Sequence, residues 1–84
     1  MKSINEEMKK ITATGNSGGG MVLITINGLM NITGIDIDDS LLNEENKTTL
    51  ITLLISAFNN AVENINIKKE EEIKNSLSQM GLGF

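Results

Sequence analysis

Three groups of residues in this sequence have types and spacings that could support chemistry. Five carboxylates fall between Asp36 and Glu45, glycines are concentrated between Gly15 and Gly20, and lysine doublets occur at Lys9-Lys10 and Lys68-Lys69. Acid clusters suit a metal ion or an acid–base pair, glycine-rich loops can cradle phosphates, and lysines contact phosphate groups as point charges. Each group also has a purely structural explanation.

The acid cluster is explained by ordinary surface positions. On a β-strand, Asp36 and Asp38 would share one face at a separation of roughly 6–7 Å, within the range of some hydrolytic carboxylate pairs. The calcium-loop pattern fails, because Leu41 and Lys47 stand where glycine and a bidentate glutamate are required. A solvent-facing strand and a helix N-terminus account for these acids, and no metal or cofactor is expected.

The glycine-rich segment is predicted to be a turn between strands. A P-loop needs a lysine and a following helix, and neither comes after Gly20. A high density of glycine favours positive φ angles and disfavours both helix and strand, so we expect a tight connection over 15–20. For the lysine doublets, a solubilising surface and phosphate contacts both remain open from the residues alone.

Composition argues against an enzyme. The 84 residues include no cysteine and no histidine, which excludes disulfides, thiolate zinc sites and Ser–His nucleophile pairs. Arginine is also absent, and only Phe58 and Phe84 are aromatic, so guanidinium forks and base-stacking platforms are missing. The N-terminus lacks a signal-peptide pattern and the longest apolar run is far too short to span a bilayer, so a cytoplasmic protein without a membrane partner is expected.

Periodicity predicts an α+β fold with a short N-terminal helix, a small antiparallel sheet of about three strands and a long C-terminal helix. Ser3 and Glu6 match a capping box, Val22, Ile24 and Ile26 recur at period two, and Ile35 and Ile37 alternate with Asp36 and Asp38. The predicted elements are a helix over 3–11, a possible strand over 11–14, strands over 21–27 and 32–38, a helix from about Asn43 to beyond Ile67, and a frayed tail over 81–84.

Two long uncharged stretches predict a subunit interface. A chain of this size has a marginal core, yet residues 11–35 and 48–62 carry no charge, more than one small core should need. We therefore expect a homodimer. The predicted core or dimer positions are one strand face and one helix stripe: Val22, Ile24, Ile26, Leu50, Leu54, Phe58 and Ala61.

The sequence also carries the signature of a family. The segment from Ala13 to Val22, then Ile26-Asn27-Gly28, and the helical Ala57-Phe58-Asn59-Asn60-Ala61 closely resemble the YbaB/EbfC family of small bacterial nucleoid-associated proteins. The resemblance implies one such domain over 1–84, with a shortened N-terminal helix. It also implies a homodimer whose helices project like the arms of tweezers, and DNA binding that organises the nucleoid.

With that resemblance, the predicted function is non-enzymatic binding of double-stranded DNA with low sequence specificity. The net charge of −4 opposes such binding, so local lysines must supply it and it should be sensitive to salt. The alternative is a dimeric adaptor for recombination or replication proteins with little or no DNA affinity. The candidate DNA contacts are the lysines of the two predicted arms: Lys2, Lys9, Lys10, Lys68, Lys69 and Lys74.

Overall fold

The fold is a three-stranded sheet flanked by one short and one long helix. The computed structural model describes residues 2–81, with side chains from Ile4 onward, so the Lys2 side chain, the Ser3 cap and the tail 82–84 lie outside the described residues. The predicted α+β class is confirmed. The elements are α1 (Lys2–Lys10), β1 (Thr12–Ser17), β2 (Val22–Asn27), β3 (Ile32–Ile37) and α2 (Lys47–Gln79), with 3₁₀ turns at Gly18–Gly20, Asp39–Leu41 and Glu44–Asn46.

One face of the sheet carries the core. The strands are antiparallel in the order β1-β2-β3, and Val22, Ile24 and Ile26 of the central strand are all buried against Ala57 and Ala61 of α2. Side chains alternate across a strand, so Leu23 and Thr25 point to the opposite face. These three residues of the predicted strand face are thus buried within the single chain.

A β-bulge brings one more isoleucine to the α2 side of the sheet. Ile35 pairs with Ile24, but Ile32 pairs with Ile26, so Thr33 is an extra residue in β3. Without this bulge, Ile32 would point to the face opposite Ile35. The bulge therefore lines up Ile32 and Ile35 on the face that α2 partly covers.

Gly15 belongs to a strand and not to the turn predicted over 15–20. A Cβ on Gly15 would overlap the carbonyl oxygen of Ala57 and the backbone nitrogen of Ala61. Here glycine is required because the backbones of β1 and α2 lie in direct contact. The density of glycine in this segment gave no sign that Gly15 has a packing role. Because Gly15 belongs to β1, the predicted turn was too long.

The long helix begins four positions later than predicted. Asn43 has extended backbone geometry, and its side chain accepts a hydrogen bond from the Asn46 amide at 2.9 Å, which caps a separate 3₁₀ turn. Glu44 and Glu45 lie in that turn, and α2 starts at Lys47. Side chain–backbone competition by asparagine is the physical reason for the later start.

The glycine turn yields a prediction about backbone strain. Gly19 has φ +66° and no atom lies within 4 Å of its would-be Cβ, so any cost of substitution comes from the backbone alone. Gly19→Val is expected to lower the free energy of unfolding by about 1–2 kcal/mol, because a β-branched residue resists positive φ. Gly19→Asn, which tolerates that region, is the matched control. Equal melting temperatures for the two variants would contradict this explanation.

Candidate functional site

Three of the four lysines in the two doublets line one groove. Lys10 of α1 and Lys68 and Lys69 of α2 line a groove of about 840 Å³ between α1 and the C-terminal part of α2. Lys9 and Lys74 are exposed on the same two helices outside the groove lining. Chain folding therefore brings together lysines that are far apart in sequence. Lys2 belongs to α1, but its side chain lies outside the described residues.

The loop between β2 and β3 holds α1 in place. The Gly28 amide donates hydrogen bonds to the carbonyls of Met8, at 3.0 Å, and Ile11, at 2.9 Å. The buried side chain of Asn27 shapes this loop by accepting from the backbone amides of Leu29 and Asn31. The sequence identified the Asn27-Gly28 pair only as a hairpin signal. The structure gives the pair a second role, which is to fix the C-terminal end of α1.

A ladder of α2 side chains covers the outer edge of β1. Three residues at spacings of four, on one face of the helix, bind outward-facing backbone groups of that strand. Three backbone groups on an otherwise unpaired strand edge therefore have hydrogen-bond partners on the helix packed beside it. The contacts are Asn60 Oδ1 accepting from the Asn16 amide (3.0 Å), Asn64 Nδ2 donating to the Thr14 carbonyl (2.9 Å), and Lys68 Nζ donating to the Thr12 carbonyl.

The ladder gives Lys68 a structural role that sequence reasoning missed. Its ammonium is tied to Thr12, the first residue of β1, and keeps other N–H donors for a further partner. The regular spacing of Asn60, Asn64 and Lys68 was a signal in the sequence. It became readable only when β1 was placed beside α2.

The groove walls carry both signs of charge. Glu7 and Lys10 form an ion pair at 3.3 Å, and both side chains are largely exposed, so it contributes little stability. Glu71 and Glu72 also line the groove. Among the side chains that the structure describes, Lys10 is the only lysine in an ion pair. The other described arm lysines can contact external anions.

A second exposed surface is apolar and lies beside β3. A hollow of about 380 Å³ is bordered by Ile32, Ile35 and Ile55, which are 49, 52 and 58% exposed. The predicted core or dimer residues fall into two groups. Those that are buried are Val22, Ile24, Ile26 and Ala61, and those that are partly buried are Leu50, Leu54 and Phe58. The hollow is also bordered by Ile24, Leu54 and Phe58. The α2 helix covers the sheet over β1 and leaves this side open within residues 2–81.

The acids do not form a metal site in the part of the chain that the structure describes. The Asp38 carboxylate accepts from the Ser40 hydroxyl at 2.6 Å and the Ser40 amide at 2.9 Å, and these hydrogen bonds hold the pKa of Asp38 below its usual value. Asp38 thus caps a turn. No cluster of three or more potential metal-ligating side chains occurs in residues 4–81.

The fold and its surfaces define a small α+β binding protein. Its prominent features are two lysine-bearing helices and an exposed apolar face. Between residues 2 and 81, no helix has the length and apolar character needed to cross a membrane.

Comparison with known proteins agrees with this class. The family model described as the YbaB/EbfC DNA-binding family matches residues 1–80, and the chain belongs to that family. This is a DNA-binding family and not a family of enzymes. The chain is similar to a nucleoid-associated protein of Bartonella tribocorum, with 42% identity over 98% of this chain and 77% of the relative.

Two further similarities extend the comparison. A nucleoid-associated protein of Bartonella henselae is 42% identical over 92% of this chain and 71% of its own length. The crystal structure of an uncharacterized protein from Helicobacter pylori is 34% identical, with a TM-score of 0.68, and the match covers 90% of this chain and 88% of that one. The family resemblance seen in the sequence is confirmed.

Proposed function

We propose that this nucleoid-associated, DNA-binding protein acts as a homodimer that holds duplex DNA by its phosphates, with low sequence specificity, in the bacterial nucleoid. The observation that carries the proposal is the convergence of Lys10, Lys68 and Lys69 between two projecting helices, with Lys9 and Lys74 exposed beside them. Family membership and nucleoid-associated relatives support DNA as the ligand.

The available side chains favour backbone recognition over base recognition. Arginine is absent, so the bidentate fork that reads guanine is missing, and lysine ammoniums bind phosphates as point charges. Base-specific contacts are the part of an interface that reads sequence, while phosphate contacts only position the protein. Low specificity follows from this chemistry. Because each lysine–phosphate contact releases counterions from the DNA, binding should weaken as the salt concentration rises.

The exposed apolar face supports the homodimer. The β1 edge is covered by the Asn60–Asn64–Lys68 ladder, whereas β3 has no such cover among the described residues. The hollow beside Ile35 and Ile55 is the kind of apolar patch that marks a protein interface. A dimer formed here would present two pairs of arms, and so twice the lysines, to one DNA molecule.

Charge reversal on the arms tests the DNA contact. Lys9→Glu/Lys10→Glu and Lys69→Glu/Lys74→Glu are each expected to lower affinity for duplex DNA and to reduce the log–log salt slope by about 0.9 per lost phosphate contact. The loss should be similar on unrelated sequences, measured by fluorescence anisotropy across a salt series. Lys47→Glu, at the far end of α2, is the control and should leave the slope unchanged.

A different result would favour the adaptor function. The carboxylates of Glu7, Glu71 and Glu72 beside the lysines suit a protein partner better than a polyanion. If the wild-type protein binds no duplex at low salt, or if neither arm variant changes the slope, the phosphate-contact proposal is wrong. Binding of recombination or replication proteins would then be the function to test.

A further inference from the structure

The loop after β2 contains a dipeptide that can modify itself. Asn27 is the only asparagine of the chain that is followed by glycine. In such a pair, the backbone nitrogen of the glycine can attack the side-chain carbonyl carbon of the asparagine, because glycine has no Cβ to hinder the approach. The product is a succinimide ring, and its formation releases ammonia. The dipeptide is therefore a potential site of spontaneous deamidation.

The structure requires both residues of this dipeptide. The Asn27 side chain is buried, and its Oδ1 accepts hydrogen bonds from the amides of Leu29, at 2.9 Å, and Asn31, at 3.1 Å. A Cβ on Gly28 would lie 2.5 Å from the carbonyl oxygen of Met8, so only glycine allows α1 to end this close to the loop. Each member of the reactive pair thus has a structural role of its own.

The end of α1 holds the hydrogen that the reaction must remove. The Gly28 amide shares its single hydrogen between the carbonyls of Met8, at 3.0 Å, and Ile11, at 2.9 Å. In a succinimide, the Gly28 nitrogen is bonded to Asn27 Cγ and carries no hydrogen, so both of these hydrogen bonds are lost. Gly28 is buried, so water cannot replace them while α1 stays in place. The ring is therefore incompatible with the docked helix, meaning the helix whose end is bonded to Gly28.

The first helix is held by few contacts. Of its side chains from Ile4 to Lys10, only Met8 is half-buried and the others are exposed. In the described part of the chain, none of the buried core residues belongs to α1. Within residues 2–81, the backbone hydrogen bonds from the β2–β3 loop to the end of this helix both come from Gly28. A segment with so few buried contacts opens at a lower free energy than the whole fold.

We propose that Asn27-Gly28 is a deamidation site that docked α1 protects and that release of α1 opens. On release, the Gly28 nitrogen gives its proton to water or hydroxide and bonds to Asn27 Cγ, while the bond from Cγ to the side-chain nitrogen breaks. That nitrogen takes up a proton and leaves as ammonia. Water then opens the ring at either of its two carbonyl carbons, which leaves aspartate or isoaspartate at position 27.

The two products differ in whether α1 can return. Aspartate keeps the normal backbone, and its carboxylate can accept from the amides of Leu29 and Asn31 as the asparagine does. Isoaspartate carries the chain through its side chain. The extra methylene between β2 and Gly28 displaces the Gly28 amide from the carbonyls of Met8 and Ile11. The isoaspartate form therefore makes release of α1 permanent, and this inference does not depend on DNA binding.

Mass spectrometry of the peptide that contains Asn27 tests the inference on the intact chain. At mildly alkaline pH, deamidation should be at least tenfold slower in the native chain than in the same chain unfolded by urea. Met8→Pro, which breaks α1, should bring the native rate to within threefold of the unfolded rate. Ile4→Pro is the matched control and should leave the rate unchanged, because a proline in the first turn removes no intrahelical hydrogen bond.

Hydrogen exchange measured by NMR shows whether the opening is local. Exchange of the Gly28 amide should accelerate in every variant that deamidates faster. Gly19→Val weakens the whole fold without contacting this loop, so it should speed exchange of the β2 amides and leave the rate at Asn27 unchanged. Met8→Asp removes the half-buried contact without a proline, and it decides the test if Met8→Pro exposes the β2 amides. It should accelerate deamidation as well.

Three results would overturn the inference. The first is an equal rate in the native and the urea-unfolded chain, and the second is equal acceleration by Gly19→Val and the Met8 variants. The third is a variant whose Gly28 amide exchanges rapidly while Asn27 still deamidates slowly. Loss of DNA binding would change none of these measurements, so this inference and the proposed function fail separately.

Discussion

Replacing Gly15 with alanine is expected to destroy most of the stability of this protein. The added Cβ would overlap the Ala57 carbonyl and the Ala61 backbone nitrogen, and neither can move without shifting α2. Overpacking usually costs about 1–3 kcal/mol, and here the clash is with helix backbone, so a loss above about 3 kcal/mol is expected. For a domain of this size, that lowers the melting temperature by more than about 12 °C.

A second glycine in the sheet provides the control for this prediction. A Cβ on Gly34 of β3 would meet its nearest neighbour, the Cβ of Thr25, at 4.0 Å, which is an ordinary contact. Gly34→Ala should therefore melt within a few degrees of wild type by circular dichroism. If Gly15→Ala were as stable as Gly34→Ala, the close contact between β1 and α2 would be wrong.

Placing two glutamates on the exposed apolar face is expected to separate the homodimer. Ile35→Glu/Ile55→Glu would bring charges into a surface that must lose its water on association, and unpaired buried charge is strongly unfavourable. The association constant should fall at least about 100-fold, equivalent to about 2.7 kcal/mol. Both positions are about half exposed in the single chain, so folding should survive.

Light scattering measures this effect directly. For the chain without substitutions, the mass at micromolar concentration should be about twice the 9.1 kDa of one chain. Adding Ile35→Glu/Ile55→Glu should reduce it to one chain mass, while adding Ile67→Glu should not. A chain of single mass before these substitutions are added would refute a homodimer at this face.

The features that were predictable depend on local pattern. Alternation identified Val22, Ile24 and Ile26 as one buried face, because a strand places every second side chain on the same side. The same reasoning could not place Ile32 beside Ile35. That alignment depends on the bulge at Thr33, which exists only in the pairing between two strands.

The candidate site shows the same contrast between features set by local sequence pattern and features set by contacts between distant residues. Lysine doublets were visible in the sequence, but the placing of Lys10, Lys68 and Lys69 around one groove depends on where the loop between β2 and β3 holds α1. Gly15 was read as a turn residue because its helix neighbours, Ala57 and Ala61, are distant in sequence. The bond of Lys68 to Thr12 was missed for the same reason. A contact between two secondary-structure elements leaves little trace in a single sequence, whereas the hydrophobic periodicity within one element is visible there.

The covered edge of β1 also limits how far the sheet can be extended by strands of other chains. A sheet with two open edges can add strands at both sides without end, which is the route to fibrils. In this protein, the Asn60–Asn64–Lys68 ladder occupies three outward backbone groups of β1, so strand addition is less favourable there than at β3. If two copies joined through β3, both outer edges of the combined sheet would be β1 strands already occupied by side chains. Strand pairing would then stop at two chains, and a crowded cell could hold this protein at high concentration without its sheets polymerising.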